Sequence, residues 1–208
     1  MLSASDALLR LGEGNRRFAS NTPATTALSL ARRDELIGRQ EPFAIVLGCS
    51  DSRVPAEIIF DQGLGDLFVI RVAGNVVAPS GIGSVEFAAA RFGTRLVVVL
   101  GHSGCGAVAA TIEELQGVPQ VDSKNLRSIV DRVRPSVESL LEVSRAWSPE
   151  ELLHQAVRAN IRMSVNQLRH GSQLLEQLIR DDGLMVVGAE YSLESGLVDF
   201  LDSPRGAA

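Results

Sequence analysis

Cysteine and histidine are scarce in this chain: 208 residues hold two of the first and three of the second. Two cysteines exclude a disulfide framework and read instead as metal ligands or inert core thiols. Aromatic residues make up only 4%, so aliphatic side chains must fill the interior, and stacking platforms for single-stranded nucleic acid are not to be expected. Positive charge is not in excess either. Against 20 basic residues stand 25 acidic ones, a net charge of −5, with no basic block to track phosphates. No apolar run approaches the roughly 20 residues that span a bilayer. The amino terminus, MLSASDALLRLGEGNRRF, carries charges within its apolar pattern and lacks a cleavage signal. These absences argue against nucleic-acid and membrane partners, and the default expectation is a cytoplasmic protein with reduced thiols.

What is present is the material of a globule, 45% hydrophobic and 22% charged. Length and an even composition predict one domain. Four short apolar runs, at residues 43–49, 66–74, 95–102 and 183–191, are rich in β-branched residues and too short for helices. Helical patterns such as GIGSVEFAAARFG alternate with them, which predicts an α/β fold: a central, mostly parallel β-sheet flanked by helices. GLVDFL at 196–201 adds an edge strand, and residues 5–18 form an amphipathic helix. Between 123 and 180 the pattern is helical, and Pro135 and the WSPE stretch are expected to divide it into two or three helices.

The chemistry gathers at strand ends. Cys49 closes the first run, and LGHSGCG places His102 and Cys105 just after the third. In a parallel sheet ligands collect beyond the carboxyl ends of the strands, so two neighbouring strands bring all three side chains together. Two thiolates and an imidazole suit Zn²⁺ and leave a fourth tetrahedral position open, as catalytic zinc requires. The plain alternative is two buried core thiols and a loop histidine. In CSDSRVPAE, Asp51 and Arg53 fall within reach of that open position as an ion pair, although Asp51 or Ser52 also suits the cap of a helix starting at Pro55. Two thiolates neutralise the ion's charge, so the water it holds is less acidic and activity is expected to climb toward alkaline pH. His154 and His170 lie in helical patterns and read as surface residues.

CSDSRVPAE, LFVIRVAGNVV, GHSGCGAV and VVGAEYSLESG, in this order and spacing, resemble a β-class carbonic anhydrase of the plant-like branch. The likeness runs from the LLRLGEGNRRF helix to about Phe200. It implies a single domain over residues 1–208, with a helical arm at 1–40 and an α/β core at 41–208. It implies a zinc lyase that interconverts CO₂ and bicarbonate by attack of zinc-bound hydroxide. Cys49, His102 and Cys105 would hold one Zn²⁺ per subunit, Asp51 and Arg53 would form the active-site dyad, and Asp51 would be a possible fourth ligand in a closed form. Gln40, Phe68 and Gly106 would contact the substrate. It further implies a homodimer or a tetramer of dimers, with the amino-terminal helix reaching over the partner subunit.

The residues depart from the family pattern at three places. Phe87 stands where many plant-like members have tyrosine, Val46 where a bicarbonate-regulated branch has tryptophan, and YSLESG replaces a more usual aspartate-bearing version. Without the resemblance, Gln40 reads as a solvated helix end, Phe68 as core and Gly106 as a turn. Two other functions fit less of the sequence. A phosphate- or nucleotide-binding module would use GHSGCGAV as a glycine-rich turn, but the lysine of a P-loop is missing. A zinc scaffold without activity would not need both Asp51 and Arg53. Hydrolysis of carbonyl sulfide or carbon disulfide on the same fold is the alternative nearest to the main expectation, because these linear molecules resemble CO₂.

Overall fold

Branched aliphatic side chains pack well on a pleated surface. The runs AIVLG, LFVIR, LVVVLGH and MVVGAEY accordingly become strands β1 (Ala44–Gly48), β2 (Leu67–Arg71), β3 (Leu96–His102) and β4 (Met185–Tyr191). The structure, a computed structural model, describes residues 2–24, 30–118, 123–143 and 146–201. A fifth strand, β5 (Val198–Leu201), completes a sheet of order β2-β1-β3-β4-β5. The first four strands run parallel and β5 is antiparallel to β4, so the expected mostly parallel sheet forms with its edge strand in place. β1 and β3 are buried along their whole length, as parallel strands covered on both faces must be.

Alternation along the strands sorts the core into two layers. Ile45 and Leu47 of β1 and Val97 and Val99 of β3 face one layer, and Ala44, Val46, Leu96, Val98 and Leu100 face the other. The first layer is covered by α4 (Pro79–Arg91), α5 (Gly106–Leu115), α6 (Lys124–Val143), α7 (Pro149–His170) and α8 (Gln173–Asp181). The second is covered by α1 (Ala4–Ala19) and the short α3 (Ala56–Ile59). A further short helix, α2 (Leu30–Glu35), precedes β1.

Helix α1 begins where Ser3 accepts the Asp6 N–H, a side-chain cap that satisfies a free helix-end donor. The apolar face of this helix packs on its own chain. Ala7, Leu8 and Leu11 are at most 1% exposed, and each buried leucine contributes about 1.5–3 kcal/mol. Asn15 donates to the carbonyls of Ile59 and Gly196 and accepts the Val198 N–H, pinning α1 to α3 and β5. Gly14 permits that approach, because a Cβ there would sit 1.9 Å from the Phe60 carbonyl oxygen. Gly→Ala in a helix interior ordinarily gains about 1 kcal/mol. Gly14→Ala is expected to reverse that sign and lose at least about 2 kcal/mol through overpacking against backbone, measured by urea denaturation.

The helical stretch after residue 123 divides differently from the expectation. The WSPE break is real, with Ser148 capping α7 through the Glu151 N–H, and Ser172 caps α8 through the Leu175 N–H. Pro135, however, lies inside the single continuous helix α6. Proline costs a helix one hydrogen bond and a clash with the preceding turn. Here Pro135 and Asp131, whose carbonyl loses its partner, are both exposed, so water can serve it, while Val133 and Val137 on the opposite face are fully buried. Packing of that face outweighs the break.

Candidate metal centre

β1 and β3 are hydrogen-bonded neighbours, with Gly48 opposite Leu100. Cys49 and His102 therefore leave the same end of the sheet, and the turn 103–105 returns Cys105 beside them, with Gly104 at φ +65°. The Sγ atoms of Cys49 and Cys105 and a ring nitrogen of His102 lie within 4.8 Å of one another, all three residues buried. This group can hold a metal ion.

Three observations test the fit of a zinc ion. First, His102 Nδ1 lies 3.0 Å from the Ser103 carbonyl oxygen. That oxygen only accepts, so Nδ1 carries a hydrogen, and the ring in its neutral form presents a bare lone pair on Nε2. Second, Nε2 is buried and has no hydrogen-bond partner among the described residues, a costly arrangement without a ligand to receive the lone pair. Third, the two buried sulfurs lie within 4.8 Å and perturb each other's ionisation. The Cys105 thiol donates to Cys49 and holds the Cys49 pKa well below the usual thiol range, while the same bond and burial push Cys105 far up. Burial opposes protonation of His102, but the adjoining Cys49 sulfur outweighs it and raises that pKa. Soft sulfur, a directed imidazole and an anionic pocket are the donor set of zinc.

Asp51 stands at the mouth of this group, its Oδ2 3.9 Å from His102 Nε2. Arg53 grips it as a fork, Nε donating to Oδ1 at 2.9 Å and Nη2 to Oδ2 at 2.8 Å, while the Arg53 N–H donates to Oδ1. The guanidinium holds the Asp51 carboxyl far below the ordinary carboxylate range. Gly106 follows Cys105 at the start of α5, exposed, with open space where a side chain would stand. Its N–H belongs to the set that no helical carbonyl can satisfy.

Gln40 and Phe68 are not brought to this group. Gln40 is exposed before β1, lining a cavity with Leu36, Ile37, Arg91 and Phe92. Residues 41–48 separate it from Cys49, and the five of β1 among them alone span about 16 Å of extended chain. Phe68 lies opposite Ile45, three places before the end of β2 at Arg71, and packs against Phe87 and Phe92. Both lie toward the amino end of the sheet, opposite the end at which Cys49 and His102 leave it. His154 is half-exposed beside Glu190, and His170 is exposed.

Sequence reasoning missed two contributors. Arg71 donates from Nε to the Cys49 carbonyl and from Nη2 to the Asp51 carbonyl, at 3.1 and 2.6 Å, and so ties the CSD turn to β2. Its signal was a charge ending an apolar strand one register place from Cys49. The Gly74 N–H donates to Cys49 Sγ at 3.4 Å. Its signal was the Gly-Asn pair in RVAGN, a sequence suited to left-handed backbone.

Comparison with known proteins agrees with this geometry. A family model described as carbonic anhydrase matches residues 44–198. The chain is 40% identical to a carbonic anhydrase of Mycolicibacterium smegmatis, covering 91% of this chain and 89% of that one. It is 39% identical to carbonic anhydrase 2 of Mycobacterium tuberculosis, over 89% and 87% of the two chains. Among solved structures, a β-carbonic anhydrase of Aspergillus fumigatus superposes with TM-score 0.73 at 26% identity, covering 93% of this chain and 90% of that one. A tetrameric β-carbonic anhydrase of Sordaria macrospora shares the fold, with TM-score 0.76 at 22% identity over 92% and 94%. Family match, high coverage and a buried Cys-His-Cys group coincide, and the chain belongs to the β-carbonic anhydrase family.

Proposed function

We propose that this chain catalyses the reversible hydration of CO₂ to bicarbonate and a proton, using one zinc ion held by Cys49, His102 and Cys105. The observation that carries the reading is the buried thiol-imidazole group with an arginine-clamped carboxylate 3.9 Å from its ring nitrogen. Zinc bound there supplies Lewis acidity, which brings the ionisation of water from its bulk value toward neutral pH.

The chain's own residues do the rest. Asp51, kept ionised, can only accept hydrogen bonds, so it takes the O–H of the attacking oxygen and leaves a lone pair facing the carbon. Arg53 occupies both carboxylate oxygens. It thereby keeps Asp51 an acceptor and prevents it from serving as a fourth ligand in a closed form. The Gly106 N–H donates to the developing bicarbonate oxygens. Reaction of CO₂ with water yields bicarbonate and one proton, which leaves to solvent.

Gln40 and Phe68 reach such a centre from a second copy of the chain, consistent with a homodimer or a tetramer of dimers. Thiols that must stay reduced to bind metal suit the cytoplasm. Among the described residues no helix is long and apolar enough to cross a membrane. Hydrolysis of carbonyl sulfide or carbon disulfide is not favoured, since the relatives at 39–40% identity are carbonic anhydrases.

Stopped-flow CO₂ hydration by zinc-loaded protein tests the reading. The rate is expected to rise from mildly acidic to alkaline pH and to vanish on chelation, with the sulfur analogues turned over far more slowly. Zinc-loaded protein that leaves CO₂ untouched, or that prefers carbon disulfide, would refute it.

A further inference from the structure

The Gly74 N–H that meets Cys49 belongs to a turn closed by a single hydrogen bond of its own, from the Asn75 N–H to the Val72 carbonyl at 3.1 Å. It lies in a short 3₁₀ element, Ala73–Asn75, with Gly74 at φ +73° and Asn75 at φ +45°. Left-handed backbone at a residue other than glycine is costly. The Asn75 side chain adds to that cost: its Nδ2 is buried with no partner among the described residues. Nor can Gly74 be replaced freely, because a Cβ there would meet the Ala107 Cβ at 3.0 Å.

Helix α7 supplies the restraint. Asn160 Nδ2 donates to the Gly74 carbonyl at 2.8 Å, and the Ser164 hydroxyl, one turn on, donates to the Asn75 carbonyl at 3.1 Å. Both residues are 1% exposed and interrupt the apolar face that α7 lays on the sheet. Two consecutive carbonyls are thus anchored to a long helix rooted in the core. Buried polar residues on an otherwise apolar face lower stability unless they are fully bonded. Their place here is explained by what they hold: an N–H aimed at a sulfur.

We propose that Asn160 and Ser164 are positioning residues for the metal centre. They fix the Gly74–Asn75 turn so that the Gly74 amide donates to Cys49 Sγ and withdraws charge from that sulfur when it binds a metal. The proposal rests on the reading of Cys49, His102 and Cys105 as ligands. Hydrogen bonds to ligating sulfur tune the donor strength of the thiolate, and partners outside the ligand set govern metal affinity and activity. α7 is therefore the part of the fold through which changes far from the cluster alter the Cys49–metal bond.

The test uses cobalt(II)-substituted full-length protein, in which thiolate-to-cobalt charge transfer gives a near-ultraviolet band. Losing an N–H donor raises the energy of the sulfur lone pairs, so Asn160→Leu is expected to move this band to longer wavelength. It is also expected to release cobalt to a chelator about 10-fold faster, because the unanchored turn no longer holds Cys49 in its ligating position. Ser164→Ala should show a smaller shift in the same direction and carries the test if Asn160→Leu does not fold, while Ser164→Thr, which keeps the hydroxyl, should restore the wild-type band. Val157→Ala, a core truncation on the same helix at 2% exposure, should lower stability without moving the band. An unmoved band in Asn160→Leu and Ser164→Ala, or an equal shift in Val157→Ala, would overturn the proposal and leave the ligand set standing. Wild-type protein without a thiolate-to-cobalt band would overturn the ligand set and the proposal together.

Discussion

Cys105→Ser is expected to empty the metal centre and lower kcat/KM for CO₂ hydration by on the order of 10³-fold. Lewis acidity of a bound ion is worth several kcal/mol of transition-state stabilisation, and each 1.36 kcal/mol is a factor of ten. Serine is nearly isosteric with cysteine but does not ionise at ordinary pH, so the variant keeps the shape of the site and loses a thiolate. Elemental analysis after dialysis should find zinc in the wild type and little in the variant. The metal-free wild type carries a further signature. The bond to Cys49 and burial raise the Cys105 pKa, which favours a protonated thiol there before zinc binds. Binding zinc must expel that proton. Because the Cys105 pKa is raised, zinc affinity should climb as pH rises, and calorimetry in buffers of different ionisation enthalpy should record proton release. Affinity that is flat or falls with pH would contradict this arrangement of charge.

Arg53→Ala should cost about 100-fold in kcat, the size of effect seen when a reacting group loses its orientation, although Arg53 itself is largely exposed. The argument rests on the fork at 2.8 and 2.9 Å. Without it Asp51 is free to turn into the cluster, whose ring nitrogen is 3.9 Å from Oδ2, and to take the position that water needs. Asp51→Asn removes the acceptor and should cost at least as much, while the double variant should be no worse than Asp51→Asn alone, because Arg53 acts through Asp51. Additive losses would show that Arg53 has a role of its own. The pair also has a pH signature in stability. Asp51's pKa is lowered in the folded chain, so its contribution is present above the ordinary carboxylate range of about 4. It is lost as pH falls through the lowered value. Arg53→Ala should weaken that dependence on the acid side.

How much of this was legible before the structure depends on which kind of signal each residue carries. The sheet was legible because AIVLG and LVVVLGH have no other way to bury so many branched side chains in so few residues. Cys49, His102 and Cys105 were legible because Cys49 and His102 lie at the ends of strands that a parallel sheet must place side by side, and Cys105 follows His102 by one short turn. Pro135 misled, since local propensity speaks for one residue and the buried Val133 and Val137 on either side decide the helix. Gln40 and Phe68 are a different case. Resemblance assigns a residue type to a position but not the chain that delivers it, and β1 puts Gln40 at the far end of the sheet from Cys49. Asn160 and Ser164 were present as polar breaks in an apolar stripe, yet their target, the turn at Gly74, lies 86 positions from Asn160, a separation that no local pattern spans.

The measurement that bears most directly on the central claim is zinc-edge X-ray absorption on protein loaded with one equivalent of zinc. The account predicts two sulfur neighbours at about 2.3 Å and two nitrogen or oxygen neighbours at about 2.0–2.1 Å, one of them from His102. A shell without sulfur, or zinc that washes off unchanged protein, would contradict it.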